Sequence, residues 1–387
     1  MPSLQHRHIG KYSTISSETY LNHYFDNAED GDEFSVSTVS SRNNSDINIT
    51  SNITTSTDSS STINHHYIRN DSNFNSHYSL INPNGKHHLT KFDPEESISN
   101  NEIILPPLNL MEEIVLLGLK DKQGYLSFWN DNISYVLRGC ILIELALRKK
   151  IKVIDDPVRN MYDVSARIIE VVMPITKTGN HLLDEALNMM AKERPESIMN
   201  WIDLLSGETW NVFKNNLQLK NVRERVSKGL VDKGILKNNT SNFLFFDMST
   251  HPLVDIGSKE SVKQRIFSIL VPKHSYLLYN NYFPENVTFK IIRSLCLICC
   301  AYGADVLDDT LLTMNYDDSD NAFKKAEKLF ETISDFPINL DQREGSGVPV
   351  DIIKDLQSEL LQHSGESLYL EVVAGVLQVI LRMDSLL

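Results

Sequence analysis

The chain has 387 residues, with 37 Lys and Arg against 51 Asp and Glu, a formal net charge of −14 at pH 7. That length suits two or three average domains, or one large domain with a tail. The acidic balance argues against a whole-surface attraction to nucleic acid or to an anionic membrane, so any anion site has to be local.

Residues 1–90 read as a disordered tail. Within them Ser35 to Asn64 is a run of Ser, Thr and Asn with almost nothing large enough to bury, so it cannot offset the entropy of ordering. The sequons at Asn48 and Asn52 are then chance matches in a biased stretch. The first residues lack an apolar signal core, and no stretch reaches the roughly 18 to 20 uncharged apolar residues that span a bilayer. The expectation is a soluble, cytosolic chain.

Residues 91–387 read as one mainly α-helical domain. Pro106-Pro107 marks the boundary, and from Leu108 apolar residues recur on nearly every turn. A helix capped by Asp131 or Asn132 runs to about Lys150, apolar on most faces except at Arg138 and Glu144, which places it at the centre of the domain. Short strand-like pieces follow at Ile151 to Ile154 and Arg167 to Met173, then helical patterns from His181 and from Ser197. Leu217 to Leu236 reads as one helix with a basic face, ended near Gly234. A polar turn over Lys237 to Asn242 and the aromatic run Phe243-Leu244-Phe245-Phe246 suggest a protruding β-hairpin. Further helices fit Lys259 to Leu270, Thr288 to Tyr302, Asn321 to Ser334, Asp351 to Gln362 and Leu368 to Leu387. The last is apolar on one side but carries Glu, Arg and Asp, so it belongs in the core.

No catalytic set assembles. Gly345-Ser-Gly347 lacks the strand, third glycine and Lys/Ser pair of a phosphate loop. Most histidines fall in the tail, where no general base can be held in place, and His181, His251, His274 and His363 stand isolated in the sequence. Cys296, Cys299 and Cys300 sit among apolar, helix-compatible neighbours with no second CxxC or Cys/His pair to complete a zinc set. They read as buried core thiols, and neither a metal nor a cofactor is expected.

The basic stretch is more informative. In a continuous helix Lys220 and Arg223 share a face, with Arg225 and Lys228 nearby. Such a fork suits a phosphate monoester, since Arg bonds it in bidentate fashion and Lys adds a compact charge. Trp129 supplies an aromatic just ahead of the central helix, and Arg138 is a charge that needs a partner if buried. A solvated helix face, balanced by Glu224 and Asp232, and an internal ion pair at Arg138 are the plainer readings of the same residues.

From about Asp93 to Leu387 the chain resembles the Golgi phosphoprotein 3 family, and most closely its fungal vacuolar-protein-sorting member. The resemblance rests on DPEES, LLGLKDKQGYLSFWNDNISYVLRGCILIELALR, WIDLLSGETWN, LKNVRERVSKGLVDKGIL and NFLFFDMSTHP, in that order. It implies a mostly helical, non-catalytic peripheral adaptor on the cytosolic face of the Golgi. Such an adaptor binds phosphatidylinositol 4-phosphate and retains glycosyltransferases by linking their cytosolic tails to coatomer. The family's lipid-binding residues fall on Trp129, Arg138, Lys220 and Arg223, and its membrane-contact and self-association hairpin on about Leu236 to Thr250, which makes a homo-oligomer the expected assembly. Fungal members carry a run of arginines for coatomer binding where this chain has Gln5-His6-Arg7-His8, a weaker charge at cytosolic pH. A basic helix followed by a hairpin also imitates a winged helix, a nucleic-acid reading that the net charge opposes.

Overall fold

The computed structural model describes residues 103–126, 131–208, 212–243, 246–271, 277–338, 340 and 350–383. The expected tail, Trp129, Leu244, Phe245, His274 and Gly345 to Gly347 lie outside them. Among the described residues there are eleven α-helices and five short strands, the mainly helical architecture with a hairpin that the residue pattern predicts.

The chain enters through α1 (Leu110–Gly118), whose start is tied by a capping box: the Asn109 side chain accepts from the Glu112 N–H, and Glu112 reaches back to the Asn109 N–H. The central helix α2 (Asn132–Leu147) is buried on all sides from Val136 onward. It ends three residues before the predicted boundary, where Lys149 adopts positive φ and cannot continue the helix. An antiparallel sheet of β1 (Ile151–Val153), β2 (Ile168–Val171) and β3 (Glu196–Ser197) follows, pairing in the order β1-β2-β3. Its third strand is two residues long, too short to leave a pattern. Between β2 and β3 runs α3 (His181–Met190), and β3 leads directly into α4 (Ile198–Ser206).

The predicted long basic helix is not continuous. A 3₁₀ turn over Val212–Leu217 stops first, Asn221 takes a left-handed conformation at φ 55°, and only then does α5 (Val222–Asp232) begin. The break is set by burial: Leu217 and Leu219 both turn into the core, and their alternate spacing cannot share one helical face.

The hairpin falls within the expected Leu236 to Thr250 stretch, but its strands and turn are divided differently from the residue reading. Strand β4 (Asn239–Phe243) pairs with β5 (Phe246–Thr250) in a register closed by Phe243↔Phe246. The stretch expected to turn is therefore largely a strand, and Phe243 and Phe246 of the aromatic run belong to different strands. The predicted alternation of Phe243 and Phe245 against Leu244 and Phe246 does not apply, because those four residues do not form one strand.

The remaining helices are α6 (Ile256–Leu270), α7 (Lys290–Gly303), α8 (Leu307–Leu311), α9 (Tyr316–Ile333), α10 (Val350–Gln362) and α11 (Ser367–Arg382). Ser364–Arg382 is apolar and long enough to cross a bilayer by composition, but α11 buries Leu370 to Leu377, Val379 and Ile380 in the core shared with α2. Cys296, Cys299 and Cys300 on α7 and Cys140 on α2 are all buried free thiols, as read from their apolar neighbours. Burial pushes the Cys296 and Cys299 thiols up, and contact with Cys140 and burial push Cys300 up, so all three stay protonated and unreactive.

A buried ion network ties this core together. Glu144, with no exposed surface, accepts from Arg293 Nη1 at 2.9 Å, from Arg148 Nε at 3.2 Å and from the Leu110 N–H at 2.9 Å. One carboxylate thus joins α2, α7 and the start of α1.

Candidate anion site

At the N-terminal end of α2 the structure brings two guanidinium groups together. Arg138 is 8% exposed, and a helical Arg leans toward the preceding turn. Its Nη1 donates to the Ser134 carbonyl at 2.7 Å, its Nη2 to Leu219 at 2.8 Å and its Nε to Leu205 at 3.3 Å. These are its hydrogen bonds among the described residues, and they engage three of its five N–H groups. Burial, then the like charge of Arg223, pushes the Arg138 pKa down to about 10, while Glu208 acts the other way. It remains charged at neutral pH. Arg223 on α5 is half-buried and likewise lowered by burial, with Asp131 opposing. Two guanidiniums that repel each other and are partly desolvated form a site that an oxyanion would relieve.

Lys220 lies in the turn before α5 and is exposed, so it does not share a helical face with Arg223 as the sequence suggested. It reaches the same region by another route. The preceding residue, Leu219, is held by its N–H to the Leu205 carbonyl at 3.0 Å and by its carbonyl to Arg138. Arg138 is thus the clamp that fixes the turn carrying Lys220. Of the other basic residues on α5, Arg225 is engaged with Glu185 on α3 at 2.5 Å.

Tyr135 and Asp203 lie near Glu208, whose charge acts on both. The Tyr135 hydroxyl donates to Asp203 Oδ1 at 2.7 Å, and burial raises both groups.

The hairpin follows α5, and the chain after it returns along that helix. His251, just past β5, approaches Glu224 in the first turn of α5 at 3.2 Å, while Val254 pairs back with Ile235 beyond the far end of that helix. The segment that closes the hairpin therefore runs along α5, from beyond its last turn back to its first. The loop that leads toward Trp129 is bound there too. The His251 N–H donates to the Gly124 carbonyl at 2.6 Å, the Leu253 N–H to Asp121 at 2.9 Å, and Lys259 Nζ to the Leu119 carbonyl at 2.8 Å and Asp121 Oδ1 at 2.6 Å. Gly124 has φ 73°, and a Cβ on it would stand 2.2 Å from the Pro252 backbone nitrogen. No other residue fits that junction.

Residues 110–341 match the family described as Golgi phosphoprotein 3 (GPP34). The chain belongs to the Golgi phosphoprotein 3 family. It is similar to vacuolar protein sorting-associated protein 74 of Eremothecium gossypii, with 53% identity over 303 residues, 78% of this chain and 91% of the relative. The protein of the same description from Schizosaccharomyces pombe is 46% identical over 303 residues, 78% of this chain and 89% of the relative. The family description and these names support a Golgi-associated trafficking role, of a sorting kind rather than a catalytic one.

Of the residues expected to bind in this family, the structure brings Arg138 and Arg223 within electrostatic reach of each other and ties Lys220 to Arg138 through Leu219. Trp129 is outside the described residues, two positions before the exposed Asp131 that opens α2. What sequence reasoning missed is the supporting set: the carbonyls of Leu205 and Leu219, the rim carboxylates Asp131 and Glu208, and His251, which had read as isolated. Backbone carbonyls carry no sequence signal. Gly124, with Tyr125, Phe128 and Trp129 after it in the sequence, was the one visible hint.

Proposed function

We propose that this family member is a peripheral Golgi adaptor that binds phosphatidylinositol 4-phosphate through Arg138, Arg223, Lys220 and Trp129, and retains glycosyltransferases by linking their cytosolic tails to coatomer. The observation that carries the lipid reading is that the Arg138 and Arg223 guanidiniums lie within electrostatic reach of each other, with Arg138 anchored by three backbone carbonyls. In a protein of net charge −14, this local cation pair makes its face the one that meets an anionic bilayer. The tip residues Leu244 and Phe245 would then enter the interface or a second copy of the chain. The glycosyltransferase and coatomer parts of the reading rest on the family resemblance. In addition, Asp305, held by Asn132 Nδ2 at 2.6 Å, puts a carboxylate next to the start of α2, where a basic juxtamembrane tail would meet it.

Vesicle flotation with and without phosphatidylinositol 4-phosphate tests the lipid reading, and a duplex-DNA shift assay beside it separates this from a winged-helix role. Arg223→Ala is expected to weaken vesicle binding by about 1.5 to 3 kcal/mol, the scale of a hydrogen bond to a charged partner, with the melting temperature retained. Undiminished flotation of that variant would remove Arg223 from the site.

A Leu244→Ser/Phe245→Ser double variant should stay folded and lose affinity for vesicles with and without the phosphoinositide, or lose self-association in sedimentation. Each apolar side chain withdrawn from water contributes about 1.5 to 3 kcal/mol. Unchanged binding and assembly would take the tip out of the mechanism.

A further inference from the structure

The cation pair is not surrounded by neutral groups. Asp131 opens α2 seven residues before Arg138, two turns away and on the same face, and Arg138 leans toward it, as its bond to the Ser134 carbonyl shows. Glu208 follows α4 three residues after Leu205, whose carbonyl Arg138 holds, and its N–H is fixed to the Asp203 carbonyl at 2.9 Å. Both carboxylates are exposed at the rim. Asp131 acts on Arg223 and Glu208 on Arg138, each favouring the charged guanidinium. With Lys220 the site holds three cations and two carboxylates, a single net positive charge.

That balance is too small for a densely charged ligand. A phosphate monoester carries about −1.5 to −2 at pH 7, so a ring with two such groups brings a second dianion toward the rim. Resting on the head-group reading above, we propose that Asp131 and Glu208 set the selectivity of the site: they admit one phosphate monoester on the inositol ring and repel a second. The cations then supply affinity, and the carboxylates exclude the bisphosphorylated lipid by like-charge repulsion. A site of three unopposed cations would instead favour the more highly charged head group.

The test compares full-length wild type with Asp131→Asn/Glu208→Gln on phosphatidylcholine vesicles that carry phosphatidylinositol 4-phosphate, phosphatidylinositol 4,5-bisphosphate or neither. Asp131 makes no side-chain cap bond, and both residues are exposed, so the variant should keep the wild-type melting temperature. Wild type should prefer the monophosphate. The double variant should gain roughly threefold to tenfold on the bisphosphate, the range for two exposed charge interactions, with a smaller gain on the monophosphate. An equal gain on both lipids would show only a general opposition to anions and overturn the selectivity claim, as would no gain on either. Wild type that floats with neither phosphoinositide would overturn the head-group reading itself, whereas wild type that binds both equally would overturn the selectivity alone.

Discussion

Glu144→Gln is expected to lower the unfolding free energy by about 3 to 5 kcal/mol, the cost of removing one partner from a buried ion pair. The variant keeps the volume and loses the charge that balances Arg148 and Arg293, both themselves buried. Burial on its own would raise the Glu144 pKa, but the charges of Arg293 and Arg148, with the Leu110 N–H, outweigh it and hold it at about 2. The sign follows from that depression: the carboxylate contributes fully above its ordinary value of 4.5 and its contribution is lost as pH falls from there toward 2. Denaturant unfolding of wild type and variant should therefore show a wide stability gap at pH 7 that narrows below pH 4.5. A gap that stays constant down to pH 3 would mean that the ionised form is not what matters.

Arg138→Ala is expected to lose both binding and stability, unlike Arg223→Ala. Three hydrogen bonds from a charged donor disappear, and the Leu219 carbonyl, which accepts from no other donor among the described residues, is left buried. A single charged hydrogen bond contributes about 1.5 to 3 kcal/mol, so a stability loss of at least about that size is expected, together with flotation reduced to background. Arg138→Lys separates the roles. Lys retains the charge but lacks the planar fork that reaches three carbonyls, so it should leave the turn at Leu219 to Asn221 open to proteolysis and Lys220 poorly placed. If Arg138→Ala floats normally, the anion site is wrong; if it melts normally, the clamp is wrong.

Much of the fold was legible because it follows from local periodicity. The apolar character of Val136 to Leu147, interrupted by Arg138 and Glu144, predicts a central buried helix, and α2 is one. The apolar neighbours of Cys296, Cys299 and Cys300 predict buried thiols in a core helix, and α7 holds them. The hairpin was visible in its existence but not in its register, since a polar strand such as Asn239–Phe243 looks like a turn when its partner is unknown. The helix from Leu217 to Leu236 failed for a related reason. Helical propensity runs through the whole stretch, but the burial of Leu217 and Leu219 in a core built by other elements outweighs it.

The sequence by itself determined which residues could read an anion: residue type sets charge and donor geometry, and Arg138, Lys220 and Arg223 carry them wherever they fall. Only the tertiary structure decided that Arg138 and Arg223 come within electrostatic reach of each other, that Lys220 arrives through the clamped Leu219 turn, and that the charges of Asp131 and Glu208 act on them. The cause is the range of the interactions. Helix and strand patterns arise from neighbours within one turn, whereas the bonds that assemble this site join residues 67 and 81 positions apart through backbone carbonyls, which no side-chain pattern encodes.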